Sequence, residues 1–455
     1  MCGITGVIGT QWPVQLALCM LESIEQRGNG EGAGVTISME QGLESHRIVG
    51  SPYLLQRTLP FSNRRAGVAA IAHHRYGTSG VSQDTLNVQP FVRNVNGWTF
   101  ALAHNGSVPN CEALRQALPA VPGFDATSDS ELFGLFIAQE NATDFVTAVK
   151  NALRRLSNIT ENEAAYSLLI MTRDTLIAAC DPRKHRPLAF GAVGGGWAFA
   201  SETSALDAVK TENISEIDGG EIVVVHNGML TRERFAPCVA LTSCVVETIY
   251  LSRPSSQVFG NSETVRSHRR QVGARLALRY QPSAERDTTI VVPVPESALA
   301  LAEGYAGATE LPLVQAILKS SSAGRSFLQP TQTLRKAELP HKFTFLPHLI
   351  VGKHVILVDD SVIRGTTMQF IAARVTECGA ASVVILSGLP QVRNECHKGV
   401  FIRKDEGGKP LLISLIHGGD PKSMARELGV RHIVFSEIDD MSVIGNGLCL
   451  DCLKA

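Results

Sequence analysis

The sequence of 455 residues lacks an excess of charge of either sign. Lysine and arginine number 42 against 43 aspartates and glutamates, so the formal net charge is −1. This balance gives no electrostatic reason to expect nucleic acid or an anionic membrane as a partner. Long apolar runs are also missing, since stretches such as HVILV and SVVIL are far too short to cross a bilayer. No secretory leader is recognisable, and we expect a cytoplasmic protein.

Internal repeats and low-complexity tracts are absent as well. Apolar residues make up 44% and charged residues 19% of the chain, which is typical of well-packed globular domains. A chain of this length exceeds one ordinary core, so two domains are expected. In a reducing compartment the ten cysteines would serve as packing residues, nucleophiles or metal ligands rather than as disulfides.

The two halves of the chain differ in pattern. Up to about residue 235, short β-type runs such as GITGVIG and GWTFALAHNG predict stacked antiparallel sheets with helices between them. One such helix is expected in SDSELFGLFIAQ, with Ser128 or Asp129 as its N-cap. Further on, TTIVVPVP and HVILVDD are strands that are each followed by a helix, which predicts a parallel sheet. We therefore expect domains at residues 2–235 and 236–455, the second ending in a Cys-x-x-Cys tail.

The most specific stretch is HVILVDDSVIRGTTM, in which a strand, two acids, a loop and a helix follow one another. Ligands of open α/β sheets bind at the carboxyl ends of strands, and amides at a helix N-terminus attract phosphate. Asp359 and Asp360 are placed for ribose hydroxyls or for hydrated Mg²⁺. The loop residues expected to surround a phosphate are Ser361, Arg364, Gly365, Thr366 and Thr367.

Separate pieces of the first half supply the parts of an amide-hydrolysis site. Cys2 follows the initiator methionine, whose removal would leave a thiol and a free α-amine on one residue, with ordinary pKa values of about 8.5 and about 7.7–8.0. In LAHNG, the Asn105 side chain and the Gly106 N–H would form an oxyanion hole. Arg75 in HHRYGTSG would bind a carboxylate, and Asp129 in TSDSE an ammonium. A substrate with both groups and a hydrolysable amide is glutamine.

The first half thus resembles the class II glutamine amidotransferases, and the second resembles the type I phosphoribosyltransferases. With NVQPF, ASETSALD, LSRPSS and GRSFLQPTQTLR, the order is similar to that of the glutamine phosphoribosylpyrophosphate (PRPP) amidotransferase family. The resemblance implies an α+β N-terminal-nucleophile sandwich followed by an α/β domain with a parallel sheet. It also implies that ammonia from glutamine passes through a channel to C1 of PRPP, which yields phosphoribosylamine and pyrophosphate in purine synthesis.

The resemblance implies further site residues as well. These are Arg27 and Tyr76 for glutamine, Lys319, Arg325 and Lys342 for PRPP, and Ser297 beside Asp359 and Asp360 for Mg²⁺. Family members assemble as dimers or tetramers, so a homo-oligomer is expected.

Four cysteines fall where one subset of the family binds a [4Fe–4S] cluster, namely Cys244, Cys396, Cys449 and Cys452. Four thiolates would fit Zn²⁺ as well. Packing as buried small side chains is a third interpretation.

The sequence departs from the family where a loop closes over PRPP. Residues 320–322 are serines in place of Asn-Arg-Tyr, and Pro340 replaces an arginine. Apart from this loop, Lys184 in DPRKHRPL of the first half stands where glycine is usual. Three hypotheses therefore stay open. They are the purine-pathway enzyme, a paralogue that delivers ammonia to another phosphorylated acceptor in specialised metabolism, and a non-catalytic protein that senses glutamine or PRPP.

Overall fold

The structure, a computed structural model, describes residues 1–28, 30–64, 67–77, 85–282, 285–320, 341–399 and 412–454. Arg325, the serines at positions 321 and 322, and Pro340 lie outside the described residues. Within those ranges, no helix is long and apolar enough to cross a membrane.

The described strands, in chain order, are β1 (Gly3–Ile8), β2 (Ala33–Met39), β3 (Gly42–Ile48), β4 (Ala69–His74), β5 (Phe91–Val95), β6 (Trp98–Ser107), β7 (Ala165–Met171), β8 (Thr175–Cys180), β9 (Ala189–Val193), β10 (Gly196–Ala200), β11 (Glu212–Glu216), β12 (Glu221–His226), β13 (Met229–Arg234), β14 (Ser243–Cys244), β15 (Thr289–Pro293), β16 (Ile317–Lys319), β17 (Phe343–Phe345), β18 (His354–Asp359), β19 (Ser382–Ser387), β20 (His432–Phe435) and β21 (Leu448–Cys449).

The α-helices are α1 (Pro13–Ser23), α2 (Pro52–Thr58), α3 (Phe61–Arg64), α4 (Cys111–Ala117), α5 (Glu131–Ala138), α6 (Phe145–Ile159), α7 (Thr203–Ala208), α8 (Val265–Arg279), α9 (Leu299–Thr309), α10 (Pro347–Ile350), α11 (Thr366–Glu377), α12 (Ile413–Ile416) and α13 (Pro421–Leu428). Short 3₁₀ turns include Glu25–Arg27, and Glu247–Leu251 forms a π-helical turn.

Two antiparallel sheets build the first half, in the orders β11-β9-β10-β1-β4-β2-β3 and β13-β12-β8-β7-β6-β5. Side chains of β1 point alternately to its two faces, so that Ile4 packs in the core between the sheets and Val7 packs in the core under α1. Along β7, Leu169 likewise faces the first sheet, and Leu168 packs against α5 and α6. The result is a sandwich of two sheets between helices, and it confirms the predicted fold of this half.

A parallel sheet in the order β15-β18-β19-β20 builds the second half. Val355 and Leu357 of β18 pack on one face, while Ile356 and Val358 pack on the other. Burial of both faces accounts for the continuous apolar run HVILV, as expected for a parallel sheet. The predicted α/β fold is confirmed.

Two local expectations come out differently. Helix α5 begins after Ser130 rather than after Ser128 or Asp129, and no side chain caps it. Lys184, which stands where the family has glycine, adopts a left-handed backbone conformation with φ of 54°. Its buried ammonium lies 2.6 Å from Oε2 of Glu216 in β11. The lysine therefore adds an ion pair at a position where glycine would relieve backbone strain.

We predict that Lys184→Met lowers the free energy of unfolding by about 3 kcal/mol, because it leaves the carboxylate of Glu216 buried without its partner. Lys184→Gly should cost about 1 kcal/mol less than Lys184→Met, because it relieves the left-handed strain. Urea denaturation of both variants measures the difference. Equal stability of Lys184→Met and wild type would contradict the role of the ion pair.

Candidate active site

Cys2 lies directly before β1, which is bordered by β10 and β4 in the first sheet. Its thiol sulfur accepts a hydrogen bond from the Tyr76 N–H at 3.4 Å and lies 3.6 Å from the Tyr76 carbonyl oxygen. Gly3 pairs with His74 at the end of β4, and this register brings the following residues beside the thiol. Burial raises the pKa of the Cys2 thiol, while the N-terminal amine, the Tyr76 N–H and Arg75 oppose the shift.

Arg75 and Asp129, the predicted ligands of the substrate carboxylate and ammonium, are both brought to this thiol. Each contributes to the electrostatics of Cys2, with Asp129 raising and Arg75 lowering its pKa. The Asp129 carboxylate accepts a hydrogen bond from the Val108 N–H at 2.9 Å, just beyond the end of β6. Both side chains are more than nine-tenths buried. Their opposite charges beside one thiol suit an α-amino acid.

Asn105 and Gly106 occupy the end of β6. The Asn105 side chain is fully buried, and neither its amide nitrogen nor its oxygen has a hydrogen-bond partner among the described residues. A Cβ at position 106 would lie 1.8 Å from the Ala165 carbonyl oxygen, so only glycine fits there. An unused buried amide donor next to a glycine peptide is suited to hold an oxyanion.

Arg27, the third predicted glutamine ligand, lies behind the nucleophile. Its Nε donates to the Cys2 carbonyl oxygen at 3.0 Å, and its Nη1 donates to Glu202 at 2.8 Å. Its Nη2 donates to both carboxylate oxygens of Glu247, at 2.8 and 2.9 Å. The side chain is fully buried. This placement does not support a direct contact between Arg27 and glutamine.

A second cluster lies at the carboxyl ends of β15 and β18. Ser297 and Ser361 both donate to the carboxylate of Asp360, the latter at 2.7 Å. The Asp360 N–H donates to the Asp359 carboxylate at 2.9 Å. Burial and the neighbouring Asp360 raise the pKa of Asp359 well above its ordinary value, and burial also raises the pKa of Asp360. Two adjacent buried carboxylates form a site for a cation or for hydroxyl donors.

Two lysines accompany these acids. Burial and Lys319 lower the pKa of Lys342, while Asp359 and Asp360 oppose the shift. The ammonium of Lys319 lies 3.4 Å from the carboxylate of Glu296. The predicted PRPP ligands Lys319 and Lys342 are therefore together at this site.

The loop predicted to hold phosphate follows Asp360 and leads into α11. Gly365 takes the N-cap position with φ of 79°, and no side chain caps the helix. A Cβ at Gly365 would lie 2.7 Å from the Cδ1 atom of Ile413. The loop with Ser361, Arg364, Thr366 and Thr367 thus lies at an uncapped helix N-terminus, which suits phosphate.

Tyr250 is a residue that sequence reasoning missed. Its side chain is 48% exposed, and the pKa of its phenol is raised by partial desolvation and by Asp360, Tyr76 and Asp359. The phenol is therefore within electrostatic range of Tyr76, which adjoins Cys2, and of Asp359 and Asp360. The signal that could have indicated it is the segment VVETIYLSRP, which directly follows Cys244.

The four predicted cysteine ligands converge at one corner of the second half. Cys244 in β14 pairs with Cys449 in β21, and the Cys452 carbonyl oxygen accepts from Arg393, which precedes Cys396, at 2.8 Å. Burial is the largest cause that raises the pKa of the Cys452 thiol, and the thiols of the other three cysteines raise it further. Across the described ranges, however, no three His, Cys, Asp or Glu side chains have the spacing of a metal site. All ten cysteines are described, and none is in a disulfide.

Comparison with known proteins matches residues 78–208 to a glutamine amidotransferase domain and residues 266–389 to a phosphoribosyl transferase domain. The amidophosphoribosyltransferase of Bacillus subtilis (strain 168) is 32% identical over 461 residues, covering 99% of this chain and 92% of the relative. The chloroplastic amidophosphoribosyltransferase 1 of Arabidopsis thaliana is 34% identical over 404 residues, covering 88% of this chain and 68% of that protein.

Solved structures agree over the whole chain. The B. subtilis glutamine PRPP amidotransferase, complexed with ADP and GMP, superposes with a TM-score of 0.87 at 31% identity and covers 100% of this chain and 96% of that one. A structure described as the allosteric regulatory enzyme of purine biosynthesis gives a TM-score of 0.86 at 30% identity, with coverages of 100% and 95%.

We predict that Asp359→Asn stabilises the ligand-free protein. A carboxyl whose pKa is raised by folding destabilises the native state while it is ionised, and stability returns as pH falls through the raised value. The melting temperature of the variant should therefore exceed that of wild type at about pH 8, by roughly 2–4 °C for each kcal/mol gained. The gain should shrink toward about pH 5 as the wild-type carboxyl takes up its proton.

Circular dichroism melts over this pH range measure the effect. Asp439→Asn, at an exposed aspartate, is the matched control and should not show the gain. An Asp359→Asn variant that melts at or below the wild-type temperature at about pH 8 would contradict the prediction.

Proposed function

The chain belongs to the amidophosphoribosyltransferase family, and we propose which of its own residues carry out the two halves of that reaction. It is a glutamine amidotransferase joined to a phosphoribosyltransferase, and the family's reaction is the first step of purine synthesis. The proposal rests on one observation above all: the Tyr76 N–H, Arg75 and Asp129 converge on the buried thiol of Cys2.

In the first half-reaction, the Cys2 sulfur attacks the side-chain amide carbon of glutamine. Arg75 binds the substrate carboxylate and Asp129 its ammonium, while Asn105 and the Gly106 N–H hold the oxyanion. The C–N bond breaks as the leaving nitrogen takes a proton and departs as ammonia, and water then releases glutamate from the thioester. Removal of Met1 would supply the α-amine of Cys2 as the base. On the chain that retains Met1, burial lowers the pKa of the Met1 amine to about 4.

In the second half-reaction, ammonia attacks C1 of PRPP and pyrophosphate leaves. The loop of Ser361, Arg364, Gly365, Thr366 and Thr367 holds phosphate, and Lys319 and Lys342 neutralise its charge. Tyr250, which is within electrostatic range of Tyr76, Asp359 and Asp360, lies on the path we propose for ammonia. Mg²⁺ fits beside Ser297, Asp359 and Asp360, because two adjacent buried carboxylates with raised pKa values call for a cation. When bound, it would neutralise the charge of the departing pyrophosphate.

The positions of the four cysteines favour a cluster over a single ion. Their thiols interact electrostatically with one another, and they fall where one subset of the family binds a [4Fe–4S] cluster. We therefore favour [4Fe–4S] over Zn²⁺ at Cys244, Cys396, Cys449 and Cys452.

We also propose domain limits of 2–235 and 236–455, a homo-oligomer of two or four chains, and a cytoplasmic location.

We predict that Cys2→Ala abolishes glutamate release from glutamine but leaves pyrophosphate release from PRPP when ammonium salts replace glutamine. The reason is that the thiol serves only the first half-reaction, while the acceptor site is formed by the second half of the chain. Glutamate and pyrophosphate are measured together with Mg²⁺. Cys19→Ala, at an exposed cysteine, is the matched control and should behave as wild type.

The same assay separates the alternatives. Glutamate release without PRPP-dependent pyrophosphate release would contradict PRPP as the acceptor and favour a paralogue that uses another phosphorylated sugar or nucleotide. Failure of both releases in wild-type protein would favour a protein that binds glutamine or PRPP without catalysis.

We predict that anaerobically purified protein contains iron and acid-labile sulfide in equal amounts, and that Cys396→Ser loses both. The control Cys238→Ser changes an exposed cysteine and should retain both. Zinc without sulfide would show a single-ion site, and absence of any metal in freshly purified protein would support simple packing.

A further inference from the structure

The side chain of Arg27 binds the backbone of Cys2, the proposed nucleophile, and also binds a residue of the second half of the chain. Arg27 donates through Nε to the Cys2 carbonyl oxygen and through Nη2 to both oxygens of Glu247. Glu247 begins the π-helical turn Glu247–Leu251, which follows the sheets of the first half. Hydrogen bonds therefore link Cys2 through Arg27 to Glu247, across the junction between the halves.

Burial makes this chain of contacts rigid. Arg27 and Glu247 are both fully buried. Burial raises the pKa of the Glu247 carboxyl, but Arg27 and Arg186 outweigh it and the net shift is downward, so Glu247 stays ionised. A charged, bidentate arginine–carboxylate pair fixes both direction and distance. Release of either partner would leave a buried charge, which the protein avoids.

From these contacts, and resting on the proposed role of Cys2, we propose that Arg27 and Glu247 are positioning residues that fix the Cys2 backbone, so that the second domain completes the glutaminase site. Within the described part of the chain, the thiol itself is hydrogen-bonded to the Tyr76 backbone. Its direction toward the substrate amide is therefore set by the Cα of Cys2, and the carbonyl bond to Arg27 restrains that atom. A displacement of about 1 Å at a reacting centre costs about 100-fold in rate.

The test compares Arg27→Gln, Arg27→Lys, Glu247→Gln and the double variant Arg27→Gln/Glu247→Gln in the full-length protein. We expect Arg27→Gln and Glu247→Gln to lower kcat for glutamate release by about 100-fold while KM for glutamine changes little. Arg27→Lys keeps the charge and should recover part of kcat. The double variant should be no worse than the poorer single variant, because both changes break one chain of contacts.

Arg253→Lys is the matched control. Arg253 also crosses the junction, with its Nε donating to the Ser23 carbonyl oxygen at 2.9 Å, but it does not contact Cys2. The kcat of the Arg253→Lys variant for glutamate release should stay near that of wild type. Pyrophosphate release with ammonium salts, measured on every variant, should be retained and reports that the second domain remains folded.

Three results would overturn the inference. An increase of KM with unchanged kcat in Arg27→Gln would make Arg27 a glutamine ligand. An unchanged kcat in Glu247→Gln would remove the role of the second domain. Loss of ammonia-dependent pyrophosphate release along with glutamate release would show that the pair only maintains the fold. A wild-type chain that releases no glutamate would instead overturn the proposed function.

Discussion

The junction between the two halves depends on a set of charged side chains that are completely buried. Arg27 binds Glu202 and Glu247, and Arg186 lies 3.3 Å from the same Glu247 carboxylate. Buried pairs of this kind add little net stability compared with apolar packing, but they tolerate little displacement, because an unpaired buried charge costs about 3–5 kcal/mol. Their consequence is geometric: the two halves are held in one arrangement, with the nucleophile attached to the network through the Cys2 carbonyl.

This network explains two motifs that carry no chemistry of their own. The Glu202 carboxylate in ASETSALD accepts from the Arg253 N–H and from the Ser256 hydroxyl, both at 2.7 Å, and these residues belong to LSRPSS. Met1 adds an apolar contact, since its side chain packs in the core of the second half. The sandwich of the first half and the parallel sheet therefore share their junction with the thiol of Cys2, the proposed nucleophile.

Sequence reasoning succeeded where the signal is local. The strand, loop and helix around Asp359 and Asp360 lie within fifteen consecutive letters, and β18 and α11 appear where they were expected. It failed where partners are distant: Arg27 and Glu247 are 220 positions apart, and no periodicity links them. The N-cap of α5 was misplaced for a related reason. Asp129 has the right chemistry for a cap, but its carboxylate accepts from the Val108 N–H just beyond the end of β6.

The segment that begins at Glu247 also reaches the second site. Arg269, which is fully buried, donates through Nη2 to the Ser252 carbonyl oxygen at 2.8 Å and through Nη1 to that of Ser297 at 3.5 Å. Ser297 in turn donates to Asp360. The segment from Glu247 to Ser252 is thus bonded at both ends. Glu247 binds Arg27 behind Cys2, and Ser252 accepts from Arg269, which also donates to Ser297 beside Asp360. A π-helical turn, an uncommon element that often occurs at functional sites, therefore links the surroundings of the proposed nucleophile to those of the proposed acceptor site.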